Sequence, residues 1–155
     1  MRGSGIDNNF FSKTAADAIA FGRRLDGLDI GWFEDIVPPG DAGMVAEIRA
    51  AIETPVAMGD EQGGSYHPEA LLRAEAVDVL RVDATTNGGI TRLRPIVARA
   101  IAAGVRVAPH MFPHVHSQVL CRLRADTKPP SNGASRARAC TRWTTASSSR
   151  SSATG

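Results

Sequence analysis

The chain is poor in cysteine, in long apolar runs and in net charge, and each shortage excludes a class. Only Cys121 and Cys140 occur in 155 residues, and their spacing is not metal-like. That suits a reducing cytoplasm and argues against a disulfide scaffold. No apolar run is long enough to span a membrane. The opening MRGSGIDNNFF lacks the apolar stretch of a secretory leader. The net charge is +2, with the basic excess largely in arginines of the last third. Such a balance is weak ground for a nucleic-acid partner. A glycine-rich nucleotide fingerprint is missing too: Asn87-Gly88-Gly89 has no third glycine and no acid on the next strand.

What is present is a repeat of strand, acid, loop and helix. The length allows one domain with a real core. A short first strand up to Ile6 delivers Asp7, and Ser12 or Thr14 can cap a helix carrying Ala15, Ala18, Ile19, Gly22 and Leu25. Ile30 to Phe33 predicts a second strand ending at Glu34-Asp35. Asp41 is placed to cap a helix with Met44, Val45, Ile48 and Ile52. Thr54 to Met58 predicts a third strand, delivering Asp60-Glu61, and a helix is expected from about Pro68 to Ala76. Residues 80–116 then supply a strand ending at Asp83, a Gly-Gly turn, a helix, another strand and His110. Alternating β and α at this period means a parallel sheet with right-handed crossovers. Polar residues after five successive strands favour a partial (β/α)8 barrel over an open doubly wound sheet. In such barrels the residues beyond the strand ends gather on one face.

That face would bring together Asp7, Glu34 and Asp60. Unpaired, three carboxylates raise one another's pKa, and a hard cation such as Mg²⁺ removes the conflict. A metal so held can act as a Lewis acid on a substrate carboxylate. Asp83, one βα unit before His110, can orient it as a general base.

The motifs I-D-N-N, W-F-E-D-I-V-P-P, P-V-A-M-G-D-E, V-D-A-T-T-N-G-G-I-T and A-P-H-M-F-P-H stand in order at consistent spacing over residues 5–120. Together they resemble the enolase superfamily in its mandelate racemase and muconate lactonizing branch. The resemblance implies Mg²⁺ ligands at Asp7, Glu34 and Asp60, and a base dyad of Asp83 and His110. It also implies a polar residue near the metal at Asn9. The implied chemistry is abstraction of the proton α to a carboxylate, as in acid-sugar dehydratases and racemases. A small carboxylate or sugar-acid substrate, a cytoplasmic location and a homo-oligomer are implied for the intact family. Asp60 stands where the branch usually has Glu, and Glu61 follows it, so the ligand can slip by one. The family's capping domain, its first two barrel strands with their lysine, and its eighth strand have no counterpart here.

Residues 121–155 are rich in Ser, Thr, Arg and Ala, which predicts a disordered tail after a domain ending near Leu120. Back-translated with GC-rich codons, residues 131–155 can be read in another frame as a family-like ending, which suggests a frameshift. Simpler readings stand beside these. The acids can be helix caps, His110 a structural histidine, and Trp32-Phe33 core. His114 and His116 read as surface residues or supports behind the site, and a Zn²⁺ site at His110, His114 and His116 rests on a weak pattern. An inactive truncated fragment is one alternative. A basic-tailed nucleic-acid binder is another, although Trp143 is the tail's only aromatic.

Overall fold

The computed structural model describes residues 5–126. Ten elements alternate: β1 (Ile6–Asp7), α1 (Ala15–Leu25), β2 (Phe33–Glu34), α2 (Ala42–Ala51), β3 (Val56–Met58), α3 (Tyr66–Arg73), β4 (Val79–Val82), α4 (Gly89–Ala102), β5 (Arg106–Pro109) and α5 (Pro113–Asp126). The five strands form one sheet in the order β1-β2-β3-β4-β5, every pair parallel. This is the arrangement of a segment of a (β/α)8 barrel, as the alternation predicts.

Local chemistry sets the helix starts. Thr14 caps α1 by accepting from Asp17 N–H, and Asp41 caps α2 by accepting from Met44 N–H. Helix α3 begins at Tyr66, two residues before the expected Pro68. Proline is tolerated there because the N–H groups of a helix's first turn have no intrahelical partner.

The strands are pleated, so their side chains alternate between two faces. Phe33, Val56, Met58, Leu80, Val82 and Val107 pack into the helix-side core. With them are Ala18 and Leu25 of α1, Val45 and Ile48 of α2, Leu71 of α3, and Leu93, Ile96, Val97 and Ala100 of α4. Burial of each large aliphatic stabilises by about 1.5–3 kcal/mol. The opposite face carries Ala57, Val79 and Ala108, with Trp32 packed on them. Gly59 closes β3 at φ +143°, and a Cβ there would lie 2.5 Å from the Arg81 carbonyl oxygen. Only glycine fits where the chain leaves the sheet toward Asp60.

One boundary differs from the sequence reading. Helix α5 runs to Asp126, so residues 121–126 are helical rather than the start of a tail. Val119 and Leu120 are buried, and Val115 and Leu123 pack beside them, giving a continuous apolar face at helical spacing. The rest of the disordered tail predicted for residues 121–155, its basic arm, and the shifted frame read over residues 131–155 lie beyond residue 126, outside the described residues. No helix among the described residues is long and apolar enough to cross a membrane.

Candidate active site

The acids at the two ends of the sheet differ in what they touch. At the end where strands begin, Asp26 Oδ1 accepts from Glu53 N–H, Thr54 N–H and the Thr54 hydroxyl. Asp78 accepts from Val56 N–H and from Arg49. These carboxylates are satisfied by protein donors and hold the scaffold. At the end where strands finish, Asp35, Asp60 and Glu61 bring carboxylate oxygens within 4.8 Å of one another. Asp35 Oδ1 is buried without a hydrogen-bond partner. A cavity of about 350 Å³ opens here, lined by Phe10, these three acids, Asp83, Thr85, Thr86, His110, Met111 and Phe112. A larger one, about 460 Å³, lies between α4 and α5, but Ile90, Thr91, Arg94, Pro95, Ala98 and Leu123 line it. It holds no acid or imidazole, so the smaller cavity is where chemistry can occur.

The predicted ligand set is therefore only partly assembled. Asp60 joins the cluster, and Asp7 and Glu34 do not. Asp7 is exposed and its Oδ1 accepts from Asn9 N–H at 2.7 Å. Asn9 is itself exposed, at φ +46°, and does not line the cavity. Glu34 lies on the sheet face opposite Phe33. There Trp32 Nε1 donates to its Oε2 at 2.7 Å. Arg81 Nε stands 2.7 Å from its Oε1. That N–H points away from a hydrogen-bond direction, so the contact is ionic. Arg81 Nη1 also donates to the carbonyls of Ala108 and Pro109. Asp35, the next residue, has φ +51°. The turn sets its carboxylate beside those of Asp60 and Glu61. Asp35, rather than Glu34, therefore stands with Asp60 and Glu61 in the cluster.

Proximity and burial shift the cluster's ionisation. Burial, then the neighbouring Glu61, pushes the Asp35 carboxyl from the ordinary 3.8 up to about 9. Burial, then Glu61, raises Asp60 to about 6, against the pull of Arg81 and His110. For Glu61, burial works upward but is outweighed by His67, Asp35 and backbone N–H groups, so its pKa is lowered. Both its oxygens accept from Gly59 N–H. His67 Nε2, buried on α3, lies 3.4 Å from Glu61 Oε2 but makes no directed hydrogen bond. Oxygen donors alone, one of them orphaned, are what a hard divalent cation takes.

The predicted dyad is assembled. His110 Nδ1 lies 3.3 Å from Asp83 Oδ2, and a closer charge contact reaches Asp60 Oδ2 at 3.0 Å. Asp83 is almost fully buried, while the His110 side chain is 43% exposed and faces the cavity wall. The surrounding carboxylates favour Nδ1–H, which leaves the Nε2 lone pair available. The Zn²⁺ alternative fails among the described residues, where Asp35, Asp60 and Glu61 are the one group with metal-ligand geometry. His114 is exposed, and His116 is fully buried with both ring nitrogens in protein contacts.

Several participants were missed in the sequence. Arg81 had a signal, being a charged residue inside the apolar run VLRV. Asn87, fully buried, accepts from Asp83 N–H and donates to the carbonyls of Gly59 and Gly64. Nothing local distinguishes it from an ordinary turn asparagine.

Residues 6–134 match the enolase C-terminal domain-like family. The chain belongs to this family. It is 37% identical over 107 residues to a D-galactarolactone cycloisomerase of Agrobacterium fabrum, covering 69% of this chain and 28% of that protein. It is 31% identical to an L-talarate/galactarate dehydratase of Salmonella typhimurium, covering 64% of this chain and 25% of that protein. Among solved structures, an L-talarate dehydratase from Polaromonas sp. JS666, complexed with Mg and L-glucarate, superposes with a TM-score of 0.69 at 27% identity. That match covers 76% of this chain and 32% of the dehydratase. The chain thus spans about a quarter to a third of the length of these relatives.

Proposed function

We propose that this site abstracts the proton α to the carboxylate of a sugar acid, with a Mg²⁺ ion held by Asp35, Asp60 and Glu61. The observation that carries this reading is His110, backed by the buried Asp83 and opening on a cavity shared with three carboxylates. Dehydratase and cycloisomerase relatives and the Mg-bound talarate dehydratase support it.

His110 Nδ1–H donates to Asp83, and its Nε2 takes the substrate's α-proton. Asp83, buried beside the ring, stabilises the imidazolium that forms and holds the ring orientation, as carboxylates do beside catalytic histidines. Bound Mg²⁺ supplies Lewis-acid stabilisation of the negative charge that builds on the substrate carboxylate. The proton on His110 then assists departure of a β-hydroxyl as water, giving dehydration; returned to the same face of the carbon it regenerates the substrate, and racemisation would need a proton from the opposite face. A cytoplasmic setting fits the sparse cysteine content.

Deuterium exchange tests the abstraction without requiring either outcome. With Mg²⁺ and galactarate or glucarate in D₂O, proton NMR should show loss of the α-proton signal. His110→Asn should reduce that loss by about 10²-fold or more, the scale of general-base catalysis. Equal exchange in the two proteins, or none in either, would sink the reading.

A further inference from the structure

We infer that His116 is a positioning residue that fixes the Asp83–His110 dyad by pinning together the loops after β4 and β5. This rests on the proposed role of that dyad. His116 lies on α5 and is fully buried. Ala84 N–H donates to its Nε2 at 2.8 Å, and its Nδ1 lies 3.0 Å from the Met111 carbonyl oxygen. An imidazole that accepts at Nε2 must carry its proton at Nδ1, and that N–H then donates to Met111. Both polar atoms are thereby satisfied in one neutral tautomer. The contact of Nε2 with Asp83 Oδ1 at 3.4 Å is consequently not a salt bridge. Asp83 Oδ1 instead accepts from Thr85 N–H and the Thr85 hydroxyl.

The two residues joined by this ring are informative. Ala84 directly follows Asp83, and Met111 directly follows His110. Met111 and Phe112 both have positive φ, 46° and 36°, a conformation that non-glycine residues hold only when their surroundings impose it. The His116 contact supplies part of that constraint. Asn87 does the corresponding work on the other side, joining Asp83 N–H to the Gly59 carbonyl. The dyad therefore sits between two buried polar struts, and only His116 spans both loops that carry it. A leucine at this position would fill the space but leave Ala84 N–H and the Met111 carbonyl unpaired.

Nitrogen NMR on the full chain, at a pH where the imidazoles are neutral, tests this without turnover. His116 and His110 should each show a single Nδ1–H tautomer. In His116→Leu the Ala84 amide should exchange on the order of tenfold faster, as for one lost hydrogen bond. His110 should lose its single tautomer. In His116→Gln, whose amide can still accept from Ala84, the His110 signature should return. An Nε2–H tautomer for wild-type His116 would overturn the inference even if neither variant folds. Asp83→Asn separates the two claims. If it disturbs the His110 tautomer and His116→Leu does not, the inference about His116 fails alone. If Asp83→Asn leaves His110 unchanged, the dyad reading fails and this inference with it.

Discussion

Asp35, Asp60 and Glu61 must hold either protons or a cation when gathered this closely. Glu34 meets the same demand differently, with Arg81 as its counter-charge. The two adjacent acids thus stand in different surroundings, which gives a sharp test. Saturating Mg²⁺ should raise the melting temperature, by about 2.7 kcal/mol of stability at one hundred times Kd and hence several degrees. Asp35→Asn should remove most of that rise. Glu34→Gln should leave most of it, because the Glu34 carboxylate lies against Arg81 and Trp32 rather than in the cluster. The reverse result in a calorimetric titration would return the metal to Asp7, Glu34 and Asp60 and require Arg81 to withdraw.

At the scale of elements, α5 closes the sheet's last unit, and its apolar face is what carries the helix past residue 120. Leu120→Ala should cost about 2–5 kcal/mol in urea unfolding, the range for large-to-small changes in a core. A cost below about 0.5 kcal/mol, typical of surface positions, would mean that α5 is not docked. The sequence made the elements legible where the cause is local. Thr14 and Asp41 cap as their spacing suggests, and strand-end polar residues mark each βα unit. Asp83 and His110 were legible because both follow their strands directly. The placement of Asp35 was not, since its positive φ is imposed by the turn and by Asp35 N–H donating to the Ala57 carbonyl across the sheet. For His116 the sequence left a surface residue and a support behind the site both open, because its burial depends on α5 lying against the β4 loop, a contact 32 residues away in sequence.

At the scale of the molecule, the cluster couples stability to pH. Asp60 and Asp35 have folded-state pKa values of about 6 and about 9, both above the ordinary 3.8. A raised carboxyl pKa means that the folded chain holds its proton more tightly than the unfolded one. The stabilisation is complete below about pH 4 and is lost as pH rises, first through 6 and then through 9. Without Mg²⁺, the cluster should therefore lower the melting temperature between pH 5 and 9, and Asp35→Asn should flatten the alkaline part. Since the cation competes with protons for the same oxygens, the Mg²⁺-induced rise should be larger at pH 8 than at pH 5. A Mg²⁺ effect that shrinks over that interval would contradict the ionisation described for Asp35 and Asp60.

The consecutive order of the strands has a kinetic consequence. Each strand pairs with the one before it, so the sheet can grow one βα unit at a time, with only modest loops to close. Along that path Asp35, Asp60 and Glu61 are complete once β3 has docked on β2, before β4 and β5 deliver Asp83 and His110. A cation that binds the early pair would stabilise the folding transition state as well as the native state. Mg²⁺ should then raise the refolding arm of the chevron and not merely lower the unfolding arm. If only the unfolding rate responds, the carboxylates come together after the barrier, and the sheet does not assemble in chain order.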